Sequence, residues 1–192
     1  MAFLHLWSID LGREPAPRRR AAANDALRQI LAVHLPEGAE VELVQGEHGK
    51  PRLARGGLEF NLSHSGEIAL VAVSAEHPVG VDIEEVRPDR DPVALAERAL
   101  AAEDVEAVRE AAPIDRSAVF HQRWARHEAR LKCLGVGIFR ASLLETDDLA
   151  VQDLEVAPGY AAAVAVAAAE VPPLRRRTFD PGALQKDGNR VS

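Results

Sequence analysis

Three short stretches of this chain gather side chains able to handle a polyanionic substrate. The first is Asn61-Leu62-Ser63-His64-Ser65-Gly66, preceded by Gly49-Lys50-Pro51. Hydroxyls, an imidazole and backbone N–H groups in one compact loop are donors that suit phosphate oxygens. The same residues also read as a polar turn between strands. The second stretch is Gly80-Val81-Asp82-Ile83-Glu84. On a strand, Asp82 and Glu84 share a face, roughly 7 Å apart, while Val81 and Ile83 turn to the core. Two acids on one face repel unless a cation or solvent accommodates them. Magnesium takes one or two such carboxylates with waters and substrate phosphates. An exposed edge strand is the plainer reading, and Glu85 continues that acidic run. The third is Phe120 to Lys132, closed by Gly135. Phe120, Trp124, Glu128 and Lys132 are spaced by four and form one stripe on a helix. Glu128 is then a third candidate metal ligand, with Lys132 one turn on for a phosphate. A packed aromatic pair beside a surface Glu–Lys salt bridge accounts for the stripe in isolation. Together the three stretches are the parts of metal-assisted phosphoryl chemistry. The histidines show no zinc spacing with Cys133 or each other, and no Walker loop, Gly-x-Gly-x-x-Gly element or Gly-x-Ser-x-Gly elbow occurs.

These residues need elements to hold them. A short strand is predicted over 2–9, then a helix opened by Pro15 and Pro17 and running to about Val33, with Arg18, Arg19, Arg20 and Arg28 on it. Strands follow at 41–44, 67–74 and 79–84, with a Gly-rich loop after the first. Beyond Arg87-Pro88 the chain turns rich in Ala, Glu and Arg, with helical patterning across 92–111. A longer helix is expected from about Asp115 to Leu134, ended by Gly135 and Gly137. Residues 142–156 read as weak strand. The run 160–169 is ambiguous, since alanine favours helix while a short apolar run after Pro158-Gly159 suits a buried strand. Residues 172–192 read as a polar tail contributing little core.

Composition narrows the class. The chain has 192 residues, 47% hydrophobic and 28% charged, as in an ordinary soluble globular protein. A single cysteine excludes an internal disulfide and fits a reducing compartment. The N-terminus has no cationic n-region, and no apolar stretch approaches the roughly 20 residues that span a bilayer, so the expected location is cytoplasmic, away from membranes. The net charge of −7 speaks against general nucleic-acid binding. Yet residues 116–140 hold six cations against one acid, Glu128, which fits a local anionic ligand or partner, or simply a solvated helix face.

In this order the motifs resemble those of the Sfp-type 4′-phosphopantetheinyl transferases. The resemblance is carried by Gly49-Lys50-Pro51, Phe60 to Ser65, Gly80 to Glu84 and Trp124 to Lys132. Glu155 to Tyr160 is similar to the entry of the family's C-terminal strand. It extends from about Arg18 to Ala169. It implies an α+β, pseudo-twofold fold of two subdomains, each a small antiparallel sheet with packed helices: 1–86 and 87–171, before the 172–192 tail. It settles 160–169 as a strand. It also implies transfer of phosphopantetheine from coenzyme A to a serine of an apo acyl or peptidyl carrier protein, dependent on Mg2+, by a monomer, releasing adenosine 3′,5′-bisphosphate. By similarity Asp82, Glu84 and Glu128 hold the metal, and Ser63, His64 and Lys132 contact the pyrophosphate. Lys50 and Pro51 lie near the adenine, while Arg18 and Arg19 align with the 3′-phosphate site. Asp104, or Glu103 beside it, is the candidate base, with a metal-bound hydroxide or water as the alternative. His127 stands where the family usually has lysine, and the cation-bearing segment before the first helix is missing or compressed into Arg13 to Arg20. The rival readings are a metal-dependent phosphohydrolase of a nucleotide-like substrate and a non-catalytic binder of coenzyme A or carrier.

Overall fold

The computed structural model describes residues 3–46, 49–88, 90–135 and 149–180. In chain order the elements are β1 (Leu4–Asp10), α1 (Ala16–His34), β2 (Leu43–Gln45), β3 (Pro51–Leu53), β4 (Glu59–Ser65), β5 (Ile68–Ser74), β6 (Val79–Glu85), α2 (Pro92–Ala99), α3 (Ala102–Glu110), α4 (Arg116–Leu134), β7 (Ala150–Asp153), β8 (Tyr160–Val166) and β9 (Leu174–Thr178). They form a mixed α+β fold with one sheet ordered β4-β5-β1-β9, a second ordered β6-β8-β7, and the small pair β2-β3.

The layers follow from which faces are apolar. β1 is buried on both sides. Trp7 and Ile9 face one cluster with Phe60, Val71 and Val73, whereas Leu4 and Leu6 face another with Val81, Ile83 and Val164. The first cluster is closed by α1, whose buried Ala23, Ala26, Leu27, Ile30 and Leu31 recur at three and four residues. Burying its large apolar side chains stabilises the contact by about 1.5–3 kcal/mol each. The second cluster lies between the two sheets. On the far face of the second sheet, Ala163 and Ala165 of β8 meet Ala125, Ala129 and Cys133 of α4. The order is thus α1, first sheet, second sheet, α4. Alanines explain how helix and sheet approach so closely, and why a helix-favouring run is a strand here: small side chains on one face admit α4.

Several expectations change in detail. Of the compact loop predicted at 61–66, all but Gly66 is strand, part of β4, which pairs with β5 from Glu59↔Ser74 to Ser65↔Ile68. The helical stretch 92–111 is two helices, α2 capped by the Asp91 carboxylate and α3 starting after extended Ala101. The break lets Ala96, Val105 and Val108 all reach Phe120. Residues 174–178, read as the beginning of a polar tail, run parallel to β1 at the sheet edge. Arg175 and Arg177 lie over the Phe3 and Trp7 rings, 3.4 and 5.2 Å from their centroids, which lets a charged segment dock on apolar surface. β6, from the first half of the chain, hydrogen-bonds in the sheet of the second. The expected strand over 142–156 appears as β7 at Ala150–Asp153, its earlier part lying outside the described residues, as do Gly137, Arg140 and 181–192.

Candidate functional site

The carboxylate strand β6 is clamped between β4 and α4. Its alternation brings Gly80, Asp82 and Glu84 to the α4 side, while Val79, Val81 and Ile83 enter the inter-sheet core. At Gly80 an added Cβ would stand within 3 Å of the Ala129 carbonyl oxygen, the Cys133 nitrogen and the Lys132 carbonyl carbon. Only glycine allows this approach. It brings the start of β6 against the last turns of α4, which ends where Gly135 turns left-handed at φ 67°.

Asp82 is the best-buried acid here, 2% exposed. Its Oδ1 accepts from Ser63 Oγ at 2.8 Å and from Lys132 Nζ at 2.5 Å. Lys132 also donates to Ser63 Oγ at 3.0 Å. Glu84 is held at both oxygens, by Trp124 Nε1 on Oε1 and by Ser65 Oγ on Oε2, each at 3.2 Å. Phe120 stacks on Trp124 at 6.4 Å and fixes the indole. Trp124 and Lys132 of the α4 stripe therefore reach the carboxylates of β6, while Phe120 packs against α2 and α3 and supports the indole.

Among the described residues, two buried carboxylate oxygens have no partner: Asp82 Oδ2 and Glu128 Oε1. Burial raises both carboxyls above their ordinary range. Lys132 opposes the rise in each, Glu84 adds to it, and Asp82 acts further on Glu128. Such mutual repulsion among acids is what a bound cation relieves. No group of three or more His, Cys, Asp or Glu side chains among the described residues is arranged as a metal cage. The donor chemistry nevertheless suits a hard cation that completes its sphere with water and phosphate oxygens.

Cations gather around His64, and Lys132 among them also reaches the carboxylates. His64 is exposed, and its imidazole is held below the usual range by partial desolvation first, then by Arg20, Lys132 and Arg19. Arg18 instead pairs with Glu14 at 3.3 Å on the open helix surface. Of the two expected arginines, Arg19 acts on His64, as does Arg20, which lies outside the expected pair. Successive residues turn by about 100° around a helix, so which of 18, 19 and 20 faces His64 depends on how α1 docks.

Lys50 is half-buried. Its ammonium donates to Val79 O at 2.9 Å and Cys133 O at 3.3 Å, tying the β2–β3 pair to β6 and the end of α4. Burial pulls the Lys50 ammonium below its ordinary range. Lys50 and Pro51, with Leu58, Glu59, Phe60 and Leu134, line a cavity of about 410 Å³. Burial pushes the Cys133 thiol up to about 11, and it donates to Pro78 O, so it is structural rather than nucleophilic. Asp104 pairs with Arg123 of α4 at 3.1 Å, whereas Glu103 is exposed. His127 lies 5.8 Å from the Trp124 ring; burial and then Arg130 hold it below the usual histidine range, with Asp104 opposing.

Residues 78–169 match the family model of the 4′-phosphopantetheinyl transferase superfamily. The chain is 36% identical over 137 residues to the 4′-phosphopantetheinyl transferase HetI of Nostoc sp. (strain PCC 7120), covering 68% of this chain and 58% of that protein. It is 35% identical over 128 residues to AcpT of Escherichia coli (strain K12), covering 64% and 63%. With psf-1 of Bacillus pumilus it shares 37% over 92 residues, covering 47% and 38%. Each match spans less than two thirds of the relative's own length. No helix among the described residues is long and apolar enough to cross a membrane.

Proposed function

We propose that this chain, which belongs to the 4′-phosphopantetheinyl transferase superfamily, transfers the 4′-phosphopantetheine of coenzyme A to a serine of an acyl or peptidyl carrier protein. The observation that carries the reading is the carboxylate cluster: Asp82 and Glu128 each keep a buried, unpartnered oxygen beside Lys132. Asp82, Glu84 and Glu128 would hold Mg2+, and when bound the ion neutralises the pyrophosphate.

The chain's own residues do the rest. Lys132 and His64 present donors to the phosphates, and Arg19 and Arg20 near His64 add positive charge. The cavity at Lys50 and Pro51, walled by Phe60 and Leu134, suits a flat purine. Ser63 donates its one hydrogen to Asp82, so its part is to orient that carboxylate rather than to grip the anion. The carrier serine oxygen attacks the β-phosphorus, the P–O bond to the nucleotide breaks, and adenosine 3′,5′-bisphosphate leaves. Between Glu103 and Asp104, we assign the serine's proton to Asp104, which Arg123 holds toward α4. Further parts of the same proposal are two pseudo-symmetric halves, 1–86 and 87–171, and a cytoplasmic monomer. One outer helix on each sheet supports the first; composition and the single cysteine support the location.

The test is a panel of apo-carriers with coenzyme A, with Mg2+ or with EDTA, read by intact mass. A carrier gains phosphopantetheine only with Mg2+, and Asp82→Ala abolishes the gain while retaining the wild-type circular dichroism. Release of phosphopantetheine without any carrier makes the protein a hydrolase instead and overturns the proposal.

A further inference from the structure

β4 and β6 are edge strands of different sheets, yet they meet along their length without a backbone ladder. The outward N–H groups of β6 are satisfied by side chains instead. Val81 N–H donates to Asn61 Oδ1 at 2.9 Å, Ile83 N–H to Ser63 Oγ at 3.4 Å, and Glu85 N–H to Ser65 Oγ at 3.0 Å. Alternate residues of one strand serve alternate residues of the other. Two rungs do a second task, for Ser63 and Ser65 each donate to the carboxylate just before the N–H they accept.

We propose that Ser65 is a positioning residue for the metal carboxylates, acting through Glu84; this rests on the Mg2+ reading of Asp82, Glu84 and Glu128. A hydroxyl that accepts from a backbone N–H cannot swing freely, so its own hydrogen is aimed. Ser65 is pinned by Glu85 N–H and aims at Glu84 Oε2, while Trp124 fixes Oε1. With only Trp124 left, the carboxylate can rotate about its last bond, and part of its time is spent misdirected. Partners that orient metal ligands are worth about 10–100-fold in metal affinity when removed. One donor of two on Glu84 belongs at the lower end, about tenfold.

The experiment uses Mn2+ as the probe, binding followed by loss of the free-ion electron paramagnetic resonance signal, with Mg2+ as competitor and no coenzyme A present. Ser65→Ala weakens Mn2+ about tenfold; Ser65→Thr, which keeps the hydroxyl, binds as wild type. Coenzyme A binding measured in EDTA is the second readout. A merely structural loss lowers both affinities together, whereas a positioning loss shifts the metal alone. Should Ser65→Ala fail to fold, Trp124→Phe removes the other donor without touching the ladder, and it shows a metal shift of similar size. Wild-type Mn2+ affinity in a folded Ser65→Ala, or in Trp124→Phe if only that variant folds, overturns the inference while leaving the metal reading intact. No Mn2+ binding by the wild-type protein sinks the metal reading and this inference with it.

Discussion

Gly80→Ala tests whether the site depends on the near-contact of β6 with α4. A methyl group there meets three backbone groups, those of Ala129, Lys132 and Cys133, the last two joined through one peptide. None is the far end of a flexible side chain. Ordinary van der Waals contact begins near 3.4 Å, so the helix must retreat by roughly 1 Å, since the strand is bonded to β8 and its opposite face is packed in the inter-sheet core. Overpacking of this kind costs about 1–3 kcal/mol, and with only backbone to move the upper end applies, about 3 kcal/mol. The retreat also draws Lys132 and Glu128 from Asp82. A displacement of about 1 Å in a catalytic group lowers rates by about 100-fold. Gly159→Ala is the contrast: its φ is +81° with open space around it, so it carries only backbone strain of about 1–2 kcal/mol. Urea unfolding and carrier modification by intact mass are measured on both variants. The expected result is a large stability loss and near-absent transfer for Gly80→Ala, against a smaller stability loss and intact transfer for Gly159→Ala. A Gly80→Ala protein with the wild-type urea midpoint would refute the close-approach argument.

Two further outcomes follow from the same geometry. His34 accepts from Trp7 Nε1 at 3.2 Å, and burial, then His5, then Arg177, push its imidazole down to about 4. The fold thus prefers neutral His34: its contribution is complete above the ordinary value near 6.5 and is lost as pH falls toward 4. The full displacement corresponds to about 3 kcal/mol, reduced by solvent access to about 1–2 kcal/mol; the urea midpoint of His34→Leu should therefore vary less between pH 7.5 and 4.5 than that of wild type, and equal slopes count against it. On α1, Arg20→Ala raises the KM for coenzyme A about tenfold, the value of one charge-assisted phosphate contact, while Arg18→Ala, which breaks only an exposed pair with Glu14, leaves it within about twofold. Equal effects from the two variants would remove Arg20 from the anion patch.

How far the sequence could be read depends on how local each cause is. The stripe Phe120, Trp124, Glu128, Lys132 needs only helix geometry, and Asp82 with Glu84 needs only strand alternation; both pairs meet across α4 and β6 as that geometry requires. The polar run 61–65 is harder. Polar residues at alternate positions usually mark a turn or a solvent face, and here they are a buried strand because their partners are the N–H groups of another sheet's edge. Neither strand alone contains that information. The β9 segment is similar, since three arginines look like tail until two of them find aromatic rings at the sheet edge. That Arg20 acts on His64 beside Arg19 has the same kind of cause, the rotation of α1 on its sheet.

The position of the site follows from a problem in the fold. Two sheets that end beside one another leave edge N–H groups that must be paired or covered. Here the cover is a row of polar side chains, and once Asn61, Ser63 and Ser65 have met the N–H groups of β6, the two serine hydrogens still need acceptors. Asp82 and Glu84 supply them. Carboxylates placed for that purpose carry more acceptor capacity than two hydroxyls use, and Lys132 takes up only part of the excess. The surplus is visible as the unpartnered Asp82 Oδ2, with Glu128 Oε1 added from α4. The seam therefore requires acids for structural reasons and is left with oxygen ligands for chemical ones. Ser63 sits at the centre of both demands, accepting from Ile83 N–H and Lys132 and donating to Asp82, so the join between the sheets and the chemistry of the site cannot be altered separately there.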